Sequence, residues 1–173
     1  MQITICTIGF TGKTAEDFFR LLEQAGVRKL IDIRESRIGQ LAGYAKHPDL
    51  EFFLQRIAGI GYAHAPELAP SREIRKAYQA TKDWPAYEKS FLTLMRERGV
   101  PKSQPPEKFG KNFALLCSEP GPEKCHRRLV ADLLAGHWSA MGHAVEIKHL
   151  VIDKSRKKSG RRKKRGADGT HPE

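Results

Sequence analysis

The chain has 173 residues, 39% of them hydrophobic, and its 31 Lys and Arg against 20 Asp and Glu give a formal net charge of +11. That length suits one domain with a core of useful size, and no apolar run approaches the roughly 18 residues of a membrane span. Three cysteines cannot complete a disulfide framework, which points to a reducing compartment with free thiols.

In chain order, the start Met-Gln-Ile-Thr-Ile-Cys has no basic leader region and turns strand-like at once, so a signal peptide is not expected and a cytoplasmic location is. Ile3 to Ile8 is a β-branched apolar run ending at Gly9, the pattern of a buried strand. Thr14 suits the cap of a helix with Phe18, Leu21, Leu22 and Ala25 on one stripe, ending at Gly26. Lys29 to Ile33 is a second buried strand, with Asp32 and Arg34 at its carboxyl end. Glu35 to Pro48 forms a long polar loop carrying Arg37, Tyr44 and His47. Asp49 is expected to cap a helix with Phe52, Phe53, Leu54 and Ile57, stopped at Gly59 to Gly61, and Tyr62 to Ala65 reads as a short strand. A short helix is expected around Ile74 to Gln79 and a longer one over Pro85 to Arg98, with Tyr87, Phe91, Leu94 and Met95 facing inward. Phe113 to Cys117 is the most apolar strand. Pro120-Gly121-Pro122 turns into a helix through about His137, and Val145 to Val151 is a last strand.

Apolar strands alternating with helices predict an α/β three-layer sandwich, with a mainly parallel sheet of about five strands over residues 1–153. Ligands of such sheets bind at the strands' carboxyl ends. Gly9, Asp32-Ile33-Arg34 and Cys117 therefore share one rim.

The segment Cys117-Ser118-Glu119 to Cys125-His126-Arg127 carries the densest chemistry. Pro122 suits a first helical turn and Glu123 suits the positive end of the helix dipole, which puts Cys125 and His126 in the first or second turn. A thiol near a helix start, beside His126, Arg127 and Arg128, has reason to ionise easily, free amides there can hold an anion, and Arg127 offers a forked donor. Three alternatives stand. Cys117 or Cys125 is a reactive thiol, with Glu119 and His126 handling protons and Arg127 clamping an anion. Or Cys117, Cys125 and His126 ligate zinc, although adjacent helical side chains diverge by about 100°. Or the cysteines simply pack, as buried free thiols commonly do. No cofactor is called for, and zinc is the metal the second alternative would bring.

A cysteine-phosphatase loop needs Arg six residues after its Cys, where this chain has Glu123. Leu30-Ile31-Asp32-Ile33-Arg34-Glu35 looks like the Asp-x-Arg strand of a rhodanese-type sulfurtransferase, but the loop after Cys117 is longer, holds two prolines and carries a second Cys. Thr7 stands where a Walker loop needs its first glycine, leaving a general anion-holding turn with Lys13. Asp32 and Arg34 either bind a polar ligand, with Gly9 and Arg37 nearby, or fix the loop as a local ion pair. His64 and Glu67 read as ordinary strand-end residues, and Cys6 as core.

Beyond Asp153 lie nine cations: Lys154, Arg156, Lys157, Lys158, Arg161, Arg162, Lys163, Lys164 and Arg165, against Asp168 and Glu173. With Ala167 as its one apolar residue, the segment 154–173 is expected to be a disordered tail making weak, sequence-neutral contact with DNA or RNA. It has no aromatic residues to stack on bases.

Together these residues resemble the family called domain of unknown function 488. The likeness runs through Thr7-Ile8-Gly9-Phe10, Asp32-Ile33-Arg34 and Gly61-Tyr62 to Leu68, and is clearest at Leu115-Leu116-Cys117-Ser118-Glu119 with Cys125-His126-Arg127. It covers roughly residues 1 to 150, and Leu68-Ala69-Pro70 departs from the family's Leu-Gly-Gly. The resemblance implies an α/β fold and a bacterial, intracellular protein, and brings no established reaction. The functional expectation is an anionic ligand, a small molecule or nucleotide, bound at the rim with thiol chemistry. The rival is a non-catalytic nucleic-acid-associated module with a structural or metal-binding cysteine loop. Neither a membrane partner nor an oligomeric state is indicated.

Overall fold

The computed structural model describes residues 1–38 and 42–153. Five strands form one parallel sheet: β1 (Gln2–Gly9), β2 (Lys29–Asp32), β3 (Gly61–His64), β4 (Asn112–Cys117) and β5 (Ala144–Leu150), in the order β3-β2-β4-β1-β5. The register sets Gly9 opposite Cys117 and Asp32 opposite Leu116 and His64, so these carboxyl ends form one rim. The expected α/β sandwich is the fold, with every pairing parallel.

Alternation along the central strands divides the core in two. Ile3, Ile5, Ile31, Ile33, Phe113 and Leu115 face a layer holding α4 (Trp84–Glu97) and α5 (His126–Ala140). Cys6, Ile8, Leu30, Ala114 and Leu116 face α1 (Ala15–Gln24) and α2 (Asp49–Phe53). With both faces of β4 covered, its unbroken apolar run follows directly. At the edge, β5 instead alternates between partly buried and exposed residues.

Thr14 caps α1 as expected, accepting the Asp17 amide at 3.1 Å. Two helices differ from the sequence expectation. The second begins after Pro48 rather than under an Asp49 cap, and widens into a π turn over Leu54–Ala58 before Gly59 ends it at φ 61°. Its interior stripe is Leu50 and Leu54, four residues apart, while Phe52 and Ile57 are 57% and 55% exposed. The fifth helix starts at His126, four residues later than Pro122 suggests. Cys125 is its N-cap, with an extended backbone (φ −140°, ψ 136°), and Pro122 is buried in the preceding loop. The expected short helix is α3 (Arg72–Thr81), capped by Ser71 and followed almost at once by α4. No described helix is long and apolar enough to cross a membrane. The basic segment 154–173 lies outside the described residues.

Candidate thiol site

Residue parity decides which side chains meet at the rim. Cys117 continues the face of Phe113 and Leu115, so its sulfur points toward α5. Asp32 continues the face of Leu30 and points to the opposite side. There it takes two bonds from the Arg34 guanidinium, at 2.8 and 2.6 Å, one from the Arg34 amide at 3.1 Å and one from the Tyr62 hydroxyl at 2.9 Å. Arg34 also donates to the Ala45 carbonyl at 2.9 Å, lies over the Phe10 ring, and its own carbonyl meets His64 Nε2 at 2.8 Å. The Asp32–Arg34 pair therefore shares the rim with Cys117 but turns inward to hold the loop after β2. Arg37 is near Tyr62 on that side and lowers its hydroxyl pKa against the larger effect of burial, which raises it.

On the α5 side, Cys117 Sγ lies 3.5 Å from His126 Nδ1, and His126 Nε2 lies 3.2 Å from the Ile33 carbonyl. A carbonyl can only accept, so Nε2 carries a proton and Nδ1 faces the sulfur. Cys125 joins them: its extended backbone frees its side chain from the helical spacing, and the donor atoms of Cys117, Cys125 and His126 lie within 4.8 Å of one another. The divergence expected for two consecutive helical residues does not arise, because Cys125 precedes the helix.

The Cys117 thiol is held well below its ordinary pKa of 9.0. A hydrogen bond from Cys125 contributes most, joined by the charge and hydrogen bond of His126 and by the Glu119 amide, against the opposing effect of burial. Burial alone would lower His126, but the Cys117 charge and hydrogen bond raise it. Burial pushes Cys125 up, and pushes Cys6 up to about 11. Of the three cysteines, Cys117 is thus the one whose surroundings favour the thiolate, and its neighbour His126 is shifted toward the charged form.

Arg127 secures this arrangement from beneath. Only 1% exposed, it donates through Nη1 to the Glu119 carbonyl at 2.7 Å and to Cys125 Sγ at 3.2 Å, while its Nε has no hydrogen-bond partner among the described residues. It does not line the cavity described below. The Arg127 backbone amide also acts on Cys125, lowering the pKa that burial raises. Gly9 makes the crossing possible: a Cβ there would sit 1.7 Å from the Glu119 carbonyl oxygen and 2.9 Å from Arg127 Nη1. The Glu119 carbonyl is the group Arg127 holds, while the Glu119 side chain is exposed at the edge of the cavity.

Cys117, Cys125 and His126 are at one wall of a cavity of about 710 Å³, a size that suits small-molecule ligands. The other wall comes from the segment least legible in the sequence: Arg75, Tyr78, Lys82, Trp84 and Tyr87 of α3, α4 and their junction. Trp84 stacks on Tyr87 with centroids 4.9 Å apart and meets Tyr78 edge-on at 5.8 Å. Lys82, the one described non-glycine residue with positive φ (55°), directs its ammonium over Tyr78 at 5.9 Å. Arg34, Arg75, Lys82 and Lys124 contribute positive charge to the lining, Glu35 and Glu119 negative. Arg75 pairs with Glu35 and Arg34 with Asp32, while Lys82 and Lys124 have no ion pair among the described residues.

A family model described as "Domain of unknown function DUF488" matches residues 14–134, which includes both cysteines of the site and the strands β2, β3 and β4. The chain belongs to that family. No curated protein and no solved structure matches it. The match takes in Asp32-Ile33-Arg34 and the whole Cys117-to-Arg127 segment, while Gly9 and the second half of α5 fall outside it.

Proposed function

We propose that this DUF488 domain is a thiol-dependent enzyme acting on an anionic ligand held in the cavity above Cys117. The observation that carries the proposal is the 3.5 Å approach of Cys117 Sγ to His126 Nδ1 at the wall of a cavity lined by cations and aromatic rings. Cys117 is the nucleophile, and His126 stabilises its thiolate and can give its Nδ1 proton to a leaving group. Cys125 donates to the thiolate, and Arg127 fixes Cys125 and the loop. Lys82 and Lys124 meet the ligand's negative charge, while Tyr78 and Trp84 offer flat apolar surface suited to a nucleotide base. The basic segment after Asp153 adds weak, sequence-neutral contact with nucleic acid.

Iodoacetamide labelling at pH 7, followed by peptide mass mapping, tests the thiol. Cys117 should take one label faster than a free-thiol peptide, with Cys6 and Cys125 unlabelled. Labelling of Cys117 no faster than the peptide removes the nucleophile from the proposal.

A further inference from the structure

We infer that Cys117, Cys125 and His126 form a binding site for a thiophilic divalent ion, Zn²⁺ by its chemistry, and that the ion masks the Cys117 nucleophile. The binding part stands on geometry alone; the masking part rests on the function proposed above.

Four observations converge. The three donor atoms lie within 4.8 Å of one another, each on a buried side chain. Tetrahedral zinc bonds of about 2.3 Å to sulfur and about 2.0 Å to nitrogen set those two atoms about 3.5 Å apart; Cys117 Sγ and His126 Nδ1 are already 3.5 Å apart. The Ile33 carbonyl takes the Nε2 proton of His126 at 3.2 Å, which leaves Nδ1 as the ring's lone-pair donor and fixes the ring's orientation. This outer-shell contact is the kind that metal-bound histidines make. Finally, Arg127 donates to Cys125 Sγ at 3.2 Å, a bond that stabilises a thiolate there once the ion has displaced its proton.

Three protein ligands complete the donor set of an open zinc site, and all three line the cavity, so a fourth position would face the ligand space. Proton balance follows from the residues. Cys125 brings one proton as a thiol, and the Cys117–His126 pair holds one more between sulfur and Nδ1. Binding one Zn²⁺ as two thiolates and a neutral imidazole therefore releases two protons. The electron pairs of both sulfurs become metal bonds, and Cys117 can no longer attack an electrophile.

The test uses the full chain, freed of metal, and titrates it with Co²⁺ as a spectroscopic probe and then with Zn²⁺. We expect one equivalent of Co²⁺ with thiolate-to-cobalt charge-transfer absorption, displaced by one equivalent of Zn²⁺ that releases two protons in weak buffer. Zn²⁺ should slow iodoacetamide labelling of Cys117 at least tenfold. Cys125→Ser should weaken binding by about 100-fold or more, since even outer-shell losses cost 10–100-fold, whereas Cys6→Ser keeps the full signal. Absence of the charge-transfer band in the wild-type chain, or its survival in Cys125→Ser, overturns the metal site. If the band forms but metal-free Cys117 labels no faster than a free-thiol peptide, the metal site stands and the nucleophile is lost. If Cys117 labels quickly and no band forms, the reverse holds.

Discussion

Gly9→Ala is the substitution that most sharply probes how the site is held together. The new methyl carbon would stand 1.7 Å from the Glu119 carbonyl oxygen and 2.8 Å from its carbon, both main-chain atoms that no rotamer change can move. The Ser118–Glu119 turn must retreat by well over an ångström. It is held by the Thr11 amide on the Ser118 carbonyl at 3.1 Å and by Arg127 Nη1 on the Glu119 carbonyl at 2.7 Å. Overpacking of this kind costs about 1–3 kcal/mol, and loss of a hydrogen bond to a buried charge about 1.5–3 kcal/mol. The combined cost of about 2.5–6 kcal/mol is a large share of the roughly 5–15 kcal/mol that holds a domain folded. Urea unfolding followed by circular dichroism reads it directly, with a midpoint lower by about 1.2–3 M at a slope near 2 kcal/mol/M. Gly43→Ala, whose methyl would meet nothing within 4 Å, is the matched control. A Gly9→Ala protein within about 0.5 kcal/mol of the wild type would refute the close crossing of β1, the Glu119 turn and Arg127.

Further substitutions separate structural roles from functional ones. Asp32→Asn leaves the buried Arg34 guanidinium without its carboxylate and should cost about 3–5 kcal/mol in the same unfolding assay; a neutral result would mean the pair does not hold the loop. Lys82→Gly relieves a left-handed backbone at the end of α3, so the melting curve should show a gain of about 0.5–1 kcal/mol despite the added chain entropy. Removing residues 154–173 deletes nine cations and two acids, and should abolish retention on a DNA column at low salt. Undiminished retention would move the nucleic-acid contact to the body of the domain.

The central strands were legible because each holds a short apolar run, Phe113 to Cys117 most clearly of all, and the edge strand β5 by its alternating Val145, Ile147 pattern. The cysteine segment stood out by residue type, and the helix stripe of α5 held a further signal. Arg127 falls on the same inward line as Val130, Ala131, Leu134 and Trp138, which foretells a buried guanidinium rather than an anion clamp at the surface. Parity was equally available for Asp32: two residues after Leu30 on one strand, it must face away from the Ile31 and Ile33 side that Cys117 shares. Carboxyl-end position alone merged Asp32 with Cys117, which the sheet keeps on opposite faces, whereas Arg34 does line the cavity beside Cys117. Pro122 suggested a helix start that occurs four residues later, since proline's fixed φ suits a loop as well as a first turn. The wall of Tyr78, Trp84 and Tyr87 was not legible as a site. Aromatic residues at helical spacing look the same whether they line a core or a cavity, and the approach of α3 and α4 to the rim is a tertiary event.

The central claim is a Cys117 thiolate sustained by His126 and Cys125 at neutral pH, and the pH dependence of its alkylation tests this most directly. Between pH 8.5 and 6.5 a free thiol of pKa about 8.5 loses about 50-fold in rate. Cys117, held well below its ordinary value, should fall far less than the free thiol over that span, because its thiolate is lost only when the pH falls through its depressed pKa. A Cys117 rate that falls with pH in step with the free thiol would contradict the claim.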